Sequence, residues 1–229
     1  MPGRSQWMFR PIASFDAETT GADPFTDRCV EVALVVVAAD GTRLAGGHHA
    51  VIDPGVAVPQ EAMDVHGITA TRIRAEGVRP AAGLGPTIQA LGACAAARLP
   101  LVIFNARFDW PLLLAEAARW GLCVPRLPLV DPLVLDRAAD PDREGKRTLD
   151  ALADHYGVDR GAAHTATDDA LCAARVAQAL AARHPTIAAR EPDALHLRQA
   201  GWFVEWRDRC NLERQCNGHH GHVTGGWPL

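Results

Sequence analysis

The stretch Phe15-Asp16-Ala17-Glu18-Thr19-Thr20-Gly21 places two carboxylates two residues apart. On a β-strand side chains alternate between faces, so Asp16 and Glu18 point the same way. Two neighbouring carboxylates repel each other, and a divalent cation is the simplest partner that makes the pair favourable. Thr19-Thr20-Gly21 then supplies a turn with hydroxyls and backbone N–H groups beside them. Taken alone, the pattern also fits an exposed strand end carrying two solvated acids.

A third acid, Asp109, closes Asn105-Ala-Arg-Phe-Asp109, directly after the apolar run Leu101-Val-Ile-Phe104. Ligands of α/β proteins gather at the carboxyl ends of such buried strands. Asp109 suits an N-cap equally well, with Pro111 just inside the following helix. In His164-Thr-Ala-Thr-Asp168-Asp169, Thr165 and Asp168 fit a capping box. Asp168 thereby has a structural task, whereas Asp169 lies one residue further round the first turn. His164 is left in the preceding loop. An imidazole there, with an unperturbed pKa of about 6.5, suits a general base, and a surface histidine ahead of a capped helix is the plainer alternative.

The elements that would hold these groups follow from periodicity. Residues 11–17, 29–38 and 43–52 read as strands, the last two joined by a turn at Asp40-Gly41. Short buried strands are expected at 101–104 and 127–130. Helices are expected at 59–66, 86–98, about 110–120, 131–139, 148–156 and 166–183, with a polar connector at 140–147. Strands first, then strand and helix in alternation, argue an α/β domain with a mixed sheet. At His184-Pro185 the composition changes, and residues 186–229 form an extension too small to be an independent domain. Trp202, Phe203 and Trp206 within it fall on helical spacing, which fits a helix docked on the domain. A partner-binding or stacking surface is the other reading.

Composition narrows the classes further. A 48% apolar content supplies a core, and 23 basic against 27 acidic residues give a net charge of −4. That excludes a purely charge-driven nucleic-acid binder, but not a nuclease, whose metal site itself adds acids. All the basic residues except Lys146 are arginines. No apolar run reaches the roughly 18 residues of a membrane span, and no signal-like segment opens the chain, so a cytoplasmic protein without membrane association is expected. Six cysteines without a paired motif read as reduced, mostly buried thiols. Cys210, Cys216, His219, His220 and His222 have zinc-ligand chemistry but no standard finger spacing. Arg72, Arg74 and Arg79, and Arg143, Lys146 and Arg147, could line a substrate path or be solvated charge.

Asp-x-Glu, the Asp after Asn105, and His-x4-Asp, in this order, together resemble the DEDDh 3′–5′ exonucleases. These are the DnaQ-like enzymes similar to the epsilon proofreading subunit of bacterial DNA polymerase III. Val58-Pro-Gln-Glu-Ala62, Val65-His-Gly-Ile-Thr69, Leu129-Val-Asp-Pro132 and Leu149-Asp-Ala-Leu152 resemble the family's connecting segments. The likeness spans roughly residues 10–183 and implies a ribonuclease-H-like fold, with an exonuclease domain at 1–185 and the extension at 186–229. It implies that Asp16, Glu18, Asp109 and Asp169 hold two Mg²⁺ ions, with Mn²⁺ as a substitute, and that His164 deprotonates the attacking water. Two such ions can activate the water and stabilise the leaving 3′-oxygen. Thr19, Thr20, His66 and Asn105 would meet the terminal nucleotide.

The implied partner is a nucleic acid with a free 3′ end, and the expected reaction releases nucleoside 5′-monophosphates from single-stranded DNA in repair or editing. RNA or short oligoribonucleotides are the alternative substrate. An inactive nucleic-acid-binding module is a further alternative, disfavoured because all five catalytic positions are filled. A protein partner for the extension has no motif behind it, and the oligomeric state is not legible.

Overall fold

A computed structural model describes residues 6–161, 165–217 and 221–228. His164, His219 and His220 lie outside the described residues, so the general-base expectation and part of the zinc expectation fall there.

Five strands form one sheet in the order β3-β2-β1-β4-β5. They are β1 (Ile12–Thr19), β2 (Cys29–Val37), β3 (Arg43–Val51), β4 (Leu101–Val102) and β5 (Leu129–Val130). β1, β2 and β3 pair antiparallel, while β4 and β5 run parallel to β1. The mixed sheet therefore appears as expected. β2 is buried at every position, because helices cover both of its faces. One layer is α3 (Pro80–Ala96) and α4 (Ala106–Arg119), and the other is α7 (Ala166–Arg183) with α5 (Pro132–Ala139) and α6 (Leu149–Tyr156). Two cores result, with Ile12, Val35 and Val37 turned towards α7 and Ala13, Phe15 and Leu34 turned towards α3 and α4.

Several boundaries differ from the sequence expectation. α3 begins at Pro80 rather than 86, with Pro86 inside it. α4 begins at Ala106 rather than near Trp110, so Pro111 lies inside the helix and Asp109 is not its N-cap. That position belongs to Asn105, in the left-handed region at φ 56°, with no side-chain cap of its own. The cap comes from elsewhere in the chain: Asn105 N–H and Ala106 N–H donate to the carboxylate of Asp131, at 3.0 and 2.9 Å. β4 and β5 are two residues each. α1 (Gln60–His66) stops at Gly67, whose φ of 70° closes the helix in a left-handed C-cap. α2 (Ala70–Glu76), unforeseen, is capped by Thr69. Of the first four cysteines Cys123 is exposed, and every cysteine is free.

After α7 come a short α8 (Pro185–Ala188) and the 25-residue α9 (Pro192–Cys216). α9 buries the stripe Leu195, Gln199 and Phe203, against β5 and α5. Two of its polar side chains satisfy backbone groups on the open edge of β5. His196 Nδ1 accepts from Leu129 N–H at 3.1 Å. The Gln199 amide donates to Leu129 C=O at 2.8 Å and accepts from Asp131 N–H at 2.7 Å. The segment 221–228 then folds back along α9, where the Asn211 amide exchanges two hydrogen bonds with the backbone of Val223. It ends with Trp227 buried, its indole N–H on the Asp131 carboxylate at 3.2 Å.

Candidate active site

Alternation along β1 puts Ile12, Ser14, Asp16 and Glu18 on the face covered by α7. The first two are buried and the two acids are partly exposed, at the carboxyl end. Thr165 caps α7, accepting from Asp168 N–H at 3.1 Å and donating to the Asp168 carboxylate at 2.8 Å. Asp168 is thus a capping residue, and Asp169 turns to the sheet. Carboxylate oxygens of Asp16, Glu18 and Asp169 all lie within 4.8 Å of one another. Asp109, in the first turn of α4, is buried beside them and repels the charge of Asp16.

The electrostatics describe a site short of positive charge. Burial, then Asp109, Glu18 and Asp169, raise the titration of Asp16 well above the usual carboxylate range. Burial, with the charges of Asp169 and Glu31, moves Glu18 from 4.5 to about 7. Burial, with the charge of Glu18, moves Asp109 to about 8, partly offset by the backbone N–H of Ala17. Arg160 brings a cation to the cluster, bridging Asp169, at 3.2 Å, and Asp150. The remaining acids form an all-oxygen donor set that suits a hard divalent cation.

Beside Glu18 lies a cavity of about 620 Å³ lined by Thr19, Thr20, Val65, His66, Asn105 and Phe108, among others. The four residues expected to meet the terminal nucleotide therefore share one wall system with a metal-type carboxylate. Their side chains are not equally free. Thr19 donates to Gly21 C=O at 2.6 Å. Thr20 donates to Asp27 at 2.7 Å and accepts from Arg28 N–H, tying down the loop 20–28. Gly21 permits this closure, since a Cβ there would lie 2.6 Å from the Asp27 carboxylate. His66 is buried. Its Nδ1 accepts from Ile68 N–H at 3.0 Å, and burial lowers its pKa, against the opposing charge of Glu31 and the backbone carbonyl of Thr19. Because Nδ1 is the acceptor, the neutral ring carries its proton on Nε2.

Three buried acids outside the expected set hold this geometry. Glu31, opposite Glu18 on β2, accepts from His49, Arg72 and the N–H of Ala166 at the start of α7. Burial opposes its ionisation, but these donors outweigh it and hold its pKa low. Glu116 joins Arg28 and Arg119, and Arg119 reaches the carbonyls of Phe25 and Asp27, locking the loop 20–28 to α4. Asp131 collects N–H groups from Asn105, Ala106 and Leu133 as well as the Trp227 indole. Among the described residues Cys210, Cys216 and His222 form no metal-type cluster, and no helix is long and apolar enough to cross a membrane.

A mixed sheet whose first strand ends in three converging carboxylates, with a fourth acid, Asp109, buried alongside, is an arrangement suited to nuclease chemistry. In sequence the chain matches the RNase T exonuclease family over residues 14–177, and it belongs to that family. No curated protein matches it. Among solved structures it is similar to *E. coli* exonuclease I in complex with a dA16 oligonucleotide, at 20% identity and a TM-score of 0.64 over 77% of this chain and 42% of that one. The zinc-bound form of the *E. coli* exonuclease I–ssDNA complex gives 20% identity and 0.62, over 77% and 41%. A moderately thermophilic exonuclease I from *Methylocaldum szegediense* gives 21% and 0.55, over 77% and 41%. The chain thus spans less than half the length of these proteins, and at such identities the likeness is one of fold.

Proposed function

We propose that this protein is a metal-dependent 3′–5′ exonuclease that removes nucleoside 5′-monophosphates from the 3′ ends of single-stranded DNA, in repair or editing. The observation that carries the reading is the convergence of Asp16, Glu18 and Asp169 within 4.8 Å, with Asp109 buried alongside. This donor set is strongly self-repelling without a cation. Family membership supports the chemistry, and the oligonucleotide bound to *E. coli* exonuclease I supports the choice of strand.

Asp16, Glu18, Asp109 and Asp169 would hold two Mg²⁺ ions, for which Mn²⁺ substitutes. Bound there, the cations would lower the pKa of a water and offset charge on the leaving oxygen of an in-line displacement. The chain's own groups do the rest. His164, immediately before the Thr165 cap, takes the proton of the attacking water. Asn105 and His66, which line the cavity beside Glu18, position the terminal nucleotide. Thr19 and Thr20 act through the loop shape that their hydroxyls fix. Arg160 holds Asp169 in its orientation until the cations bind.

The test is a Mg²⁺-dependent assay on matched DNA and RNA strands labelled at the 5′ end. A ladder of products shortened from the 3′ end, faster on DNA, is expected. Preference for RNA would overturn the substrate assignment, and full turnover in excess EDTA would overturn the metal reading.

A further inference from the structure

A second cavity, of about 360 Å³, lies where α5, the connector 140–147 and α9 meet, and the nuclease chemistry makes no use of it. Four arginines line it, Arg137, Arg143, Arg147 and Arg209, together with Trp206. Asp136, fully buried, holds Arg143 at 2.8 Å and Arg147 at 2.5 Å. Arg209 leans on the exposed Asp142 at 3.5 Å. Glu213 lines the cavity as well, so four guanidiniums face three carboxylates.

Among the described residues Arg137 makes no ion pair with a carboxylate. Its guanidinium lies 3.5 Å from the centre of the Trp206 ring. Its Nε is buried without an acceptor, and so is that of Arg143. Partial burial of a guanidinium without a directly bonded carboxylate is unfavourable, and it lowers the pKa of Arg137 to about 10 even though the charges of Asp131 and Asp136 oppose the shift. An anion with several oxygens would satisfy both orphaned N–H groups at once, as a phosphate does with clustered arginines.

We propose that this cavity binds a phosphate oxyanion, namely a backbone phosphate of the nucleic-acid strand upstream of its 3′ end. The strand assignment rests on the exonuclease reading above. Position supports it. Asp131, which caps the Asn105 loop of the active site, also caps α5, and Arg137 follows six residues later. At 1.5 Å per residue Arg137 lies about 9 Å along that helix from Asp131, so the cavity follows the element that the Asn105 loop is tied to. Trp206 presents an aromatic surface of the kind that accompanies strand backbones.

The experiment compares the wild type with Arg137→Met and Arg209→Gln. The second residue is partly exposed, so its replacement leaves folding intact. Binding of 5′-fluorescein dT12 is followed by anisotropy across a salt series with Ca²⁺ as the cation, alongside competition by dTMP and inorganic phosphate. Each variant should bind the strand about tenfold more weakly, with the salt slope reduced by about one. Hydrolysis of thymidine 5′-(p-nitrophenyl phosphate), which engages the carboxylate site alone, should be unchanged.

Unaltered affinity and slope in both variants would overturn the proposal. Weakened dTMP or phosphate binding with normal strand binding would likewise overturn the strand assignment, giving the oxyanion site to a free mononucleotide instead. If the wild type with Mg²⁺ hydrolyses neither dT12 nor the nitrophenyl ester, the exonuclease reading fails, while the anisotropy series still decides whether the cavity holds phosphate.

Discussion

Replacing Glu18 by glutamine should make the cation-free protein more stable, and only above a definite pH. In the fold Glu18 titrates at about 7, against an ordinary 4.5, because burial and the charges of Asp169 and Glu31 disfavour its ionised form. The folded state therefore holds this proton more tightly than the unfolded chain does. Below about pH 4.5 both states are protonated and the fold bears no penalty. As pH rises to about 7 the penalty grows, and beyond that it is complete, at about 3 kcal/mol. For a chain of this size 1 kcal/mol moves the melting temperature by about 2–4 °C. In EDTA at pH 8 the Glu18→Gln variant should thus melt about 6–12 °C above wild type, and at pH 4.5 the two should coincide. Adding Mg²⁺ at pH 8 should raise the wild type steeply and the variant little. Scanning calorimetry at the two pH values reads all of this. A difference independent of pH, or a variant less stable at pH 8, would refute the electrostatic account of the cluster.

Asp169→Ala should reduce turnover by orders of magnitude, whereas Asp168→Ala should cost about 1 kcal/mol of stability as a damaged helix cap, separable by kinetics and melting curves. His164→Ala should lower kcat by about 10²–10⁴ while Mn²⁺ affinity, measured by calorimetric titration, survives. An equal loss of metal affinity would make it a ligand instead. Trp227→Phe keeps the buried ring but removes the N–H bound to Asp131. It should raise KM for the strand more than it lowers kcat, since Asp131 acts on Asn105 rather than on the reacting atoms, and an effect on kcat alone would contradict that route.

Asp16, Glu18 and Asp169 were legible in the sequence because each follows from a local period, whereas Asp109 was singled out only by its place after a buried strand and by the family resemblance. Asp16 and Glu18 share a strand face, and Thr165 with Asp168 fixes where α7 starts, which frees Asp169. The sheet and most helices follow from the same patterns. What stayed hidden depends on distant partners. α4 starts at Ala106 because Asp131, 25 residues away, accepts its first N–H groups, so Pro111 misled as a helix-start marker. Glu31 sits within the apolar run of β2, and its role appears only when Ala166, 135 residues on, donates to it. Arg160 and the four-arginine cavity likewise join segments whose proximity no local pattern encodes.

His196, Gln199 and Trp227 seal the rim of β5 and Asp131 from 67, 68 and 96 residues downstream. During vectorial synthesis the nuclease sheet must therefore wait, its last rim open, until α9 and the returning segment have left the ribosome. An open strand rim is a template for pairing with other chains. The residues of the acidic cluster all lie within 12–169, but the nascent chain remains association-prone until Trp227 docks. Early stops within α9 should thus yield aggregates more readily than soluble, weakly active enzyme.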